Sequence, residues 1–351
     1  MRADRPDNVS KEKLMPVRTL VVDDSPTMRV VLSTLLSYDP EIEVIGTADC
    51  PATARGMIKD LNPDVLTLDI EMPGMDGLDF LEKIMRLRPM PVVMVSTLTD
   101  RGSEASIRAL ELGAFDAIPK PLFTQARTGD GGLLAKTVKA AAGAKVGRVE
   151  LAATPPSDYR PKADSVIAIG SSTGGVEALL HLLQSFPENC PPTLIVQHMP
   201  VTFTRSFAAR LDRYCPPRVV LAEDGLPLSA GQVILAPGGD THLVLAAGRQ
   251  RRCRLMEGPP ESGHRPSVDT LFSSVAVSSF AVAAGAILTG MGADGAKGLK
   301  AMRDAGARTF GQDQATCVVY GMPAAAHKIG AVEAQLPLSR IASALLGVCA
   351  A

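Results

Sequence analysis

Short apolar runs alternate with amphipathic stretches along the first part of the chain. "RTLVV" (18–22), "IEVIGTA" (42–48), "DVLTLDI" (64–70), "MPVVMVS" (90–96) and "FDAIP" (115–119) have the length and branched-residue content of buried strands. Between them, "SPTMRVVLSTLLS", "GLDFLEKIMRL" and "SEASIRALELG" repeat apolar residues at helical spacing. Five strands joined by helical crossovers predict a doubly wound, five-stranded parallel sheet. After "GLLAKTVKAAAGA" (132–144) the pattern fades into the polar, proline-bearing "TPPSDYRPKAD" (154–164).

The second part alternates again. "SVIAIG", "PTLIVQ", "GQVILAP" and "GAILTG" are strand candidates, and "HLVLAAG" with "RRCRLME" predicts a hairpin. The hairpin makes a mixed, mostly parallel second sheet the expectation. Residues 270–293 carry no charge but are broken by Ser, Ala and Gly, so they predict a buried helix and a buried strand rather than a membrane span. The fold class is therefore α/β, with a doubly wound five-stranded N-terminal domain and a C-terminal α/β domain. The expected boundaries are a disordered arm at 1–16, a first domain at 17–140, a linker at 141–163 and a second domain at 164–351.

Composition narrows the function classes. The 351 residues carry a net charge of −1, which gives a nucleic-acid partner no support. The basic group Arg249, Arg251, Arg252 and Arg254 is expected to be a solvated hairpin. The six cysteines contain no C-x-x-C pair, which argues against zinc and against a disulfide framework and favours the cytoplasm. The polar N-terminus "MRADRPDNVSKEKLMP" has no apolar core and does not resemble a signal peptide.

Two sets of residues carry chemistry. Asp23 and Asp24 follow the first predicted strand, and Asp69 ends the third. In a doubly wound sheet these ends meet at the carboxyl edge, where ligands bind. Three converging carboxylates without His or Cys suit Mg²⁺. Ser96 and Lys120, at the ends of the next two strands, join the same edge. A carboxylate beside a cation and a lysine can attack a phosphoryl donor.

In the second part, "GSSTG" reads as G-x-S-x-G centred on Ser172, the spacing of a nucleophile elbow between a strand and a helix. A frame centred on Ser171 lacks flanking glycines. A glycine-rich phosphate loop is the alternative, but no lysine follows the glycines. Of the five histidines, His198 directly follows "PTLIVQ", at the carboxyl edge Ser172 would occupy. His181 and His327 fall in helix-like segments, His242 in a strand and His264 in a loop. Asp294, in the turn "LTGMGADG", is the candidate orienting acid. The order Ser172, Asp294, His327 competes with Ser172, His198, Asp294.

The first domain resembles the receiver domains of bacterial response regulators, on "VVDDS", "TLDIEMPGMDG", "VSTL" and "IPKP". The resemblance implies Asp69 as phosphoacceptor, Asp23 and Asp24 as further Mg²⁺ ligands, Ser96 as the phosphate-sensing hydroxyl and Lys120 as its counter-charge. Ala117 stands where many receivers carry an aromatic residue. "IGSSTGG", "VQHMP" and "LTGMGADG" resemble the catalytic domain of the chemotaxis protein-glutamate methylesterases, a family with a receiver fused ahead of it. That resemblance implies Ser172 as nucleophile, His198 as base and acid, and Asp294 as orienter, with Thr173 and the Met291 amide near the oxyanion and no cofactor for the esterase. It also implies methylated chemoreceptors as substrate, glutamine deamidation as a second activity, a histidine kinase as phosphodonor, and a receiver that covers the site until phosphorylated. Two other classes are a receiver joined to a non-catalytic phosphate-binding module and a transcription regulator. No basic recognition helix supports the latter.

Overall fold

The computed structural model describes residues 15–72, 76–96, 100–120, 132–143, 158–246 and 251–351. Nearly all of the expected arm and most of the expected linker lie outside these residues.

The first domain is a five-stranded parallel sheet, β1 (Val17–Val22), β2 (Ile42–Ala48), β3 (Val65–Asp69), β4 (Val92–Ser96) and β5 (Asp116–Pro119), in the order β2-β1-β3-β4-β5. The helices are α1 (Pro26–Ser37), α2 (Pro51–Leu61), α3 (Gly77–Leu87), α4 (Asp100–Glu111) and α5 (Gly132–Ala142). Ser25 caps α1 by accepting from the Met28 amide, and Asp76 caps α3 by accepting from Leu78. The strand order reverses between β1 and β3, which opens a crevice at their carboxyl ends. Asp23 and Asp69 stand at that crevice.

The second domain contains β6 (Ser165–Ser171), α6 (Gly175–Gln184), β7 (Thr193–Gln197), α7 (Val201–Tyr214), β8 (Arg218–Leu221), β9 (Gln232–Leu235), β10 (Thr241–Leu245) and β11 (Cys253–Glu257). It continues with α8 (Val268–Ala276), β12 (Val282–Ile287), α9 (Ala296–Asp304), β13 (Arg308–Gln312), α10 (Met322–Lys328), β14 (Ala334–Leu336) and α11 (Leu338–Val348). Seven strands pair in the order β14-β13-β12-β6-β7-β9-β8, and every pairing is parallel.

The expected mixed sheet is corrected here. The hairpin exists, but β10 and β11 form their own antiparallel pair. β9 is already flanked by β7 and β8, so no ladder edge remains for the hairpin beside it. β10 packs against α8 instead. Residues 158–163, read as linker, pack on α11. Tyr159 donates to the Leu346 carbonyl at 3.0 Å, and the Lys162 amide donates to Cys349 at 2.7 Å. The uncharged 270–293 stretch holds most of α8 and all of β12, as its broken apolar pattern predicted. Among the described residues no helix is long and apolar enough to cross a membrane.

The two domains touch. Helix α4 packs against α6 and α7. Buried Arg210 of α7 bridges them, with Nε 2.7 Å from Glu111 of α4 and Nη2 2.9 Å from Glu177 of α6.

Helix α8 is set by Phe272, fully buried among Leu271, Val275 and Leu299. Phe272→Ala should cost about 3–5 kcal/mol through lost burial and a residual cavity. The melting of the second domain in the intact chain, followed by calorimetry, should fall by roughly 10 °C.

Candidate active site

The carboxyl edge of the first sheet gathers the expected acids. Oxygens of Asp23, Asp24 and Asp69 lie within 4.8 Å of one another. Lys120 Nζ sits 2.7 Å from Asp69 Oδ2 and 3.2 Å from Asp23 Oδ2. Ser96 ends the neighbouring strand, and its carbonyl accepts from the Lys120 amide at 2.7 Å. Burial, then the nearby Asp23 charge, pushes the Asp69 carboxyl up to about 6 against the pull of Lys120. Asp23 Oδ2 is buried and shares the Lys120 ammonium with Asp69. Three clustered carboxylates facing one lysine leave surplus negative charge and oxygen donors, which suits a hard divalent cation. Asp23, Asp24 and Asp69 would hold Mg²⁺, which would neutralise their mutual repulsion and the charge of a phosphoryl group.

The second site is built at three adjacent strand ends. β6 lies between β7 and β12, so residues following these strands share one edge. Ser171 closes β6, fully buried, and donates to Gln197 Oε1 at 2.6 Å. Ser172 lies one residue further on, past the strand and less buried. The chain then turns sharply through Gly174, at φ +76°, into α6. A Cβ at Gly170 would lie 2.1 Å from Val268 Cγ1. Both glycines of the G-x-S-x-G frame are therefore required by local geometry, one for packing and one for its left-handed backbone.

Gln197, which the sequence reading passed over, ties the elbow to the histidine. Its Nε2 donates to the carbonyls of Ser172 at 2.8 Å and His198 at 3.0 Å. The His198 amide donates to Ser171 O at 3.0 Å, and the Ser172 amide to Thr289 O at 3.0 Å. Gly290 lies directly against Ser172, where a Cβ would come 2.7 Å from the serine Cβ. Met291 follows it.

His198 Nε2 lies 2.8 Å from Asp294 Oδ2. Asp294 is buried and also accepts from Ser267 Oγ at 2.8 Å, the Val268 amide at 2.8 Å and the Asp269 amide at 3.0 Å. The last two amides open α8, so the carboxylate sits on a helix N-terminus. Burial alone would raise its pKa, but His198 and these amides hold it below the usual carboxylate range. An ionised carboxylate only accepts, so Nε2 of His198 carries the proton. Among the described residues Nδ1 is left buried without a partner. His327 is exposed on α10, and the carboxylate of Asp294 is engaged by His198 instead. The Thr173 side chain faces Asp116 of β5 in the first domain and pulls that carboxyl down, although burial still pushes it up to about 6.

Ser267 was legible as a helix cap, since a serine precedes an apolar run with Asp269 in its first turn. That this cap would also hold Asp294 was not, because the two are brought together by packing.

A model of the response regulator receiver domain matches residues 19–127, and one of the CheB methylesterase matches residues 167–345. The chain belongs to the CheB methylesterase family. It is 59% identical over 344 residues to protein-glutamate methylesterase/protein-glutamine glutaminase 1 of Caulobacter vibrioides, covering 95% of this chain and 98% of that one. It is 58% identical over 342 residues to protein-glutamate methylesterase/protein-glutamine glutaminase of Rhizobium etli, covering 96% and 97%. The crystal structure of the Thermotoga maritima CheB methylesterase catalytic domain is 38% identical, covers 52% of this chain and 97% of its own, and superposes with a TM-score of 0.49.

A cation and a proton compete for Asp69. Because its carboxyl titrates at about 6, Mg²⁺ affinity measured by calorimetry should be nearly flat above pH 7 and fall as the pH drops through 6 toward 5. Asp69→Asn should weaken binding and remove that dependence.

Proposed function

We propose that the protein is a phosphorylation-controlled esterase that hydrolyses glutamyl methyl esters on chemoreceptors in the cytoplasm and deamidates receptor glutamines. The observation that carries this is the His198–Asp294 pair, 2.8 Å long and buried beside the Ser172 elbow. Family membership sets the non-catalytic binding module aside.

Ser172 Oγ attacks the ester carbonyl while Nδ1 of His198, the nitrogen not used on Asp294, takes its proton. The ionised Asp294 stabilises the resulting imidazolium through Nε2–H. Thr173 and the Met291 amide are the oxyanion donors. Collapse breaks the C–O bond, and His198 gives its proton to the leaving methoxide, so methanol departs and an acyl-serine remains. Water then attacks, with His198 again taking and returning a proton, to release the glutamate and regenerate Ser172. A glutamine substrate loses ammonia in place of methanol.

Control comes from the first domain. The Asp69 carboxylate forms an O–P bond as the phosphohistidine of a kinase loses its N–P bond, and Lys120 then pairs with the phosphoryl oxygens. The approach of Asp116 to Thr173 supports a resting state in which β5 lies against one of the oxyanion donors. Phosphorylation biases the receiver away from that docked arrangement.

Ser172→Ala should abolish methanol release from methylated receptor membranes, by as much as roughly 10⁶-fold. Ser171→Ala loses one buried hydrogen bond and should keep most activity. A dead Ser171→Ala beside an active Ser172→Ala would move the nucleophile by one residue.

Asp69→Asn should keep basal activity and lose the response to a small phosphodonor. Asp116→Asn should raise the unphosphorylated rate. Basal turnover unchanged in Asp116→Asn would remove the Thr173 contact from the regulatory account.

A further inference from the structure

Resting on the assignment of His198 as the base, we infer that His264 is a positioning residue for the reaction, acting through the face of its ring. The two imidazoles stack with centroids 3.8 Å apart and planes 5° from parallel. His198 has one hydrogen bond to fix its ring, from Nε2 to Asp294. A single bond leaves rotation about that contact open, and among the described residues Nδ1 has no partner to oppose it. A parallel ring in van der Waals contact closes that freedom. It keeps Nε2 on Asp294 and Nδ1 facing away from it.

The nitrogens of His264 are not what is used. Among the described residues they reach no protein partner, whereas the backbone is clamped. The Glu261 and His264 amides and carbonyls bond each other reciprocally at 3.0 Å. Arg265 Nε donates to Gly239 O at 2.9 Å, Arg265 Nη1 donates to Gly258 O at 2.8 Å, and the same guanidinium pairs with Asp240. Two residues on, the Ser267 amide donates to His242 Nδ1 at 3.1 Å, and His242 Nε2 donates to Pro259 O at 3.0 Å. His242 is thereby a neutral strut under the loop. One short segment, residues 258–269, therefore presents the stacking ring and the donors that hold Asp294.

The chemistry of the ring suits the role. The charged groups that bear on His264 are His198, Asp294 and Lys136 of α5. Burial first keeps His264 neutral, with its pKa pushed down to about 4, and the Lys136 charge acts in the same direction. A neutral ring can lie against an imidazolium without charge repulsion, and its face attracts the cation formed on His198 as Ser172 is deprotonated.

The test uses the full chain with His264→Ala and His264→Phe, beside wild type and Ser172→Ala. Loss of the stack should lower kcat for methanol release by about ten- to a hundredfold, the cost of a misplaced catalytic group, with KM within about twofold. His264→Phe keeps the flat face and should recover to within about threefold of wild type. A tautomer measurement separates this proposal from the assignment of activity. ¹⁵N NMR of His198 needs no substrate, and it should show one tautomer in wild type and His264→Phe but mixed tautomers in His264→Ala. His264→Ala with wild-type turnover and an unshifted His198 would overturn the proposal. So would His264→Phe as slow as His264→Ala, because a nitrogen rather than the ring face would then be required. Should His264→Ala fail to fold, the Phe variant decides alone, by recovery or loss of turnover and tautomer. Failure of wild type to release methanol, with the NMR pattern as expected, would count against the substrate and not against the stack.

Discussion

A buried carboxylate must be neutralised or densely hydrogen-bonded, and Asp294 meets that constraint with four donors from two segments of chain. His198 comes from the end of β7, and Ser267, Val268 and Asp269 from the start of α8. The acid itself follows β12. One ionised group thus fixes the relative position of two strand ends and a helix. It also determines which nitrogen of His198 carries the proton, and so which one is left free. Removing it would lose a proton-holding partner and the element that assembles the site.

The other carboxylate cluster obeys the opposite rule. Asp69 is also buried, but its neighbours are acids, and one lysine does not offset burial and Asp23. Its pKa rises, whereas that of Asp294 falls. Both acids sit at the carboxyl edges of parallel sheets. The difference lies in what converges on them: a helix N-terminus and an imidazole at one, like charges at the other. An edge short of positive charge is suited to a cation, while an edge with its charge satisfied is suited to holding an imidazole in place.

The face between the domains links the two edges. Asp116 lies on β5, four residues before Lys120, and reaches Thr173, next to Ser172. Arg210 holds α4 to α6 and α7 through two glutamates. Apolar packing accompanies these contacts, because buried residues of both domains, Leu110 of α4 and Leu179 of α6 among them, belong to one continuous cluster.

Much of this was legible in the chain itself. Branched apolar runs ended at Asp23, Asp69, Ser96, Lys120, Ser172 and His198, and parallel topology brings such ends to shared edges. The frame around Ser172 rests on two glycines whose neighbours leave no room for a Cβ or whose backbone is left-handed. Helix α2 and strands β8, β13 and β14 escaped notice. They are short or weakly patterned, and their order comes from neighbours rather than from their own periodicity. The hairpin was read correctly, but its placement was not, because the free edge of a sheet is a property of the whole fold. The sequence by itself determined the two sheets, the elbow and the types of group at each edge, since these follow from local periodicity and from glycine sterics. Only the tertiary structure decided that Asp294 pairs with His198 rather than His327, that Gln197 and Ser267 brace the site, that His264 stacks on the base and that Asp116 meets Thr173. Those contacts join residues distant in sequence, and distance across a fold is set by packing, which no local pattern encodes.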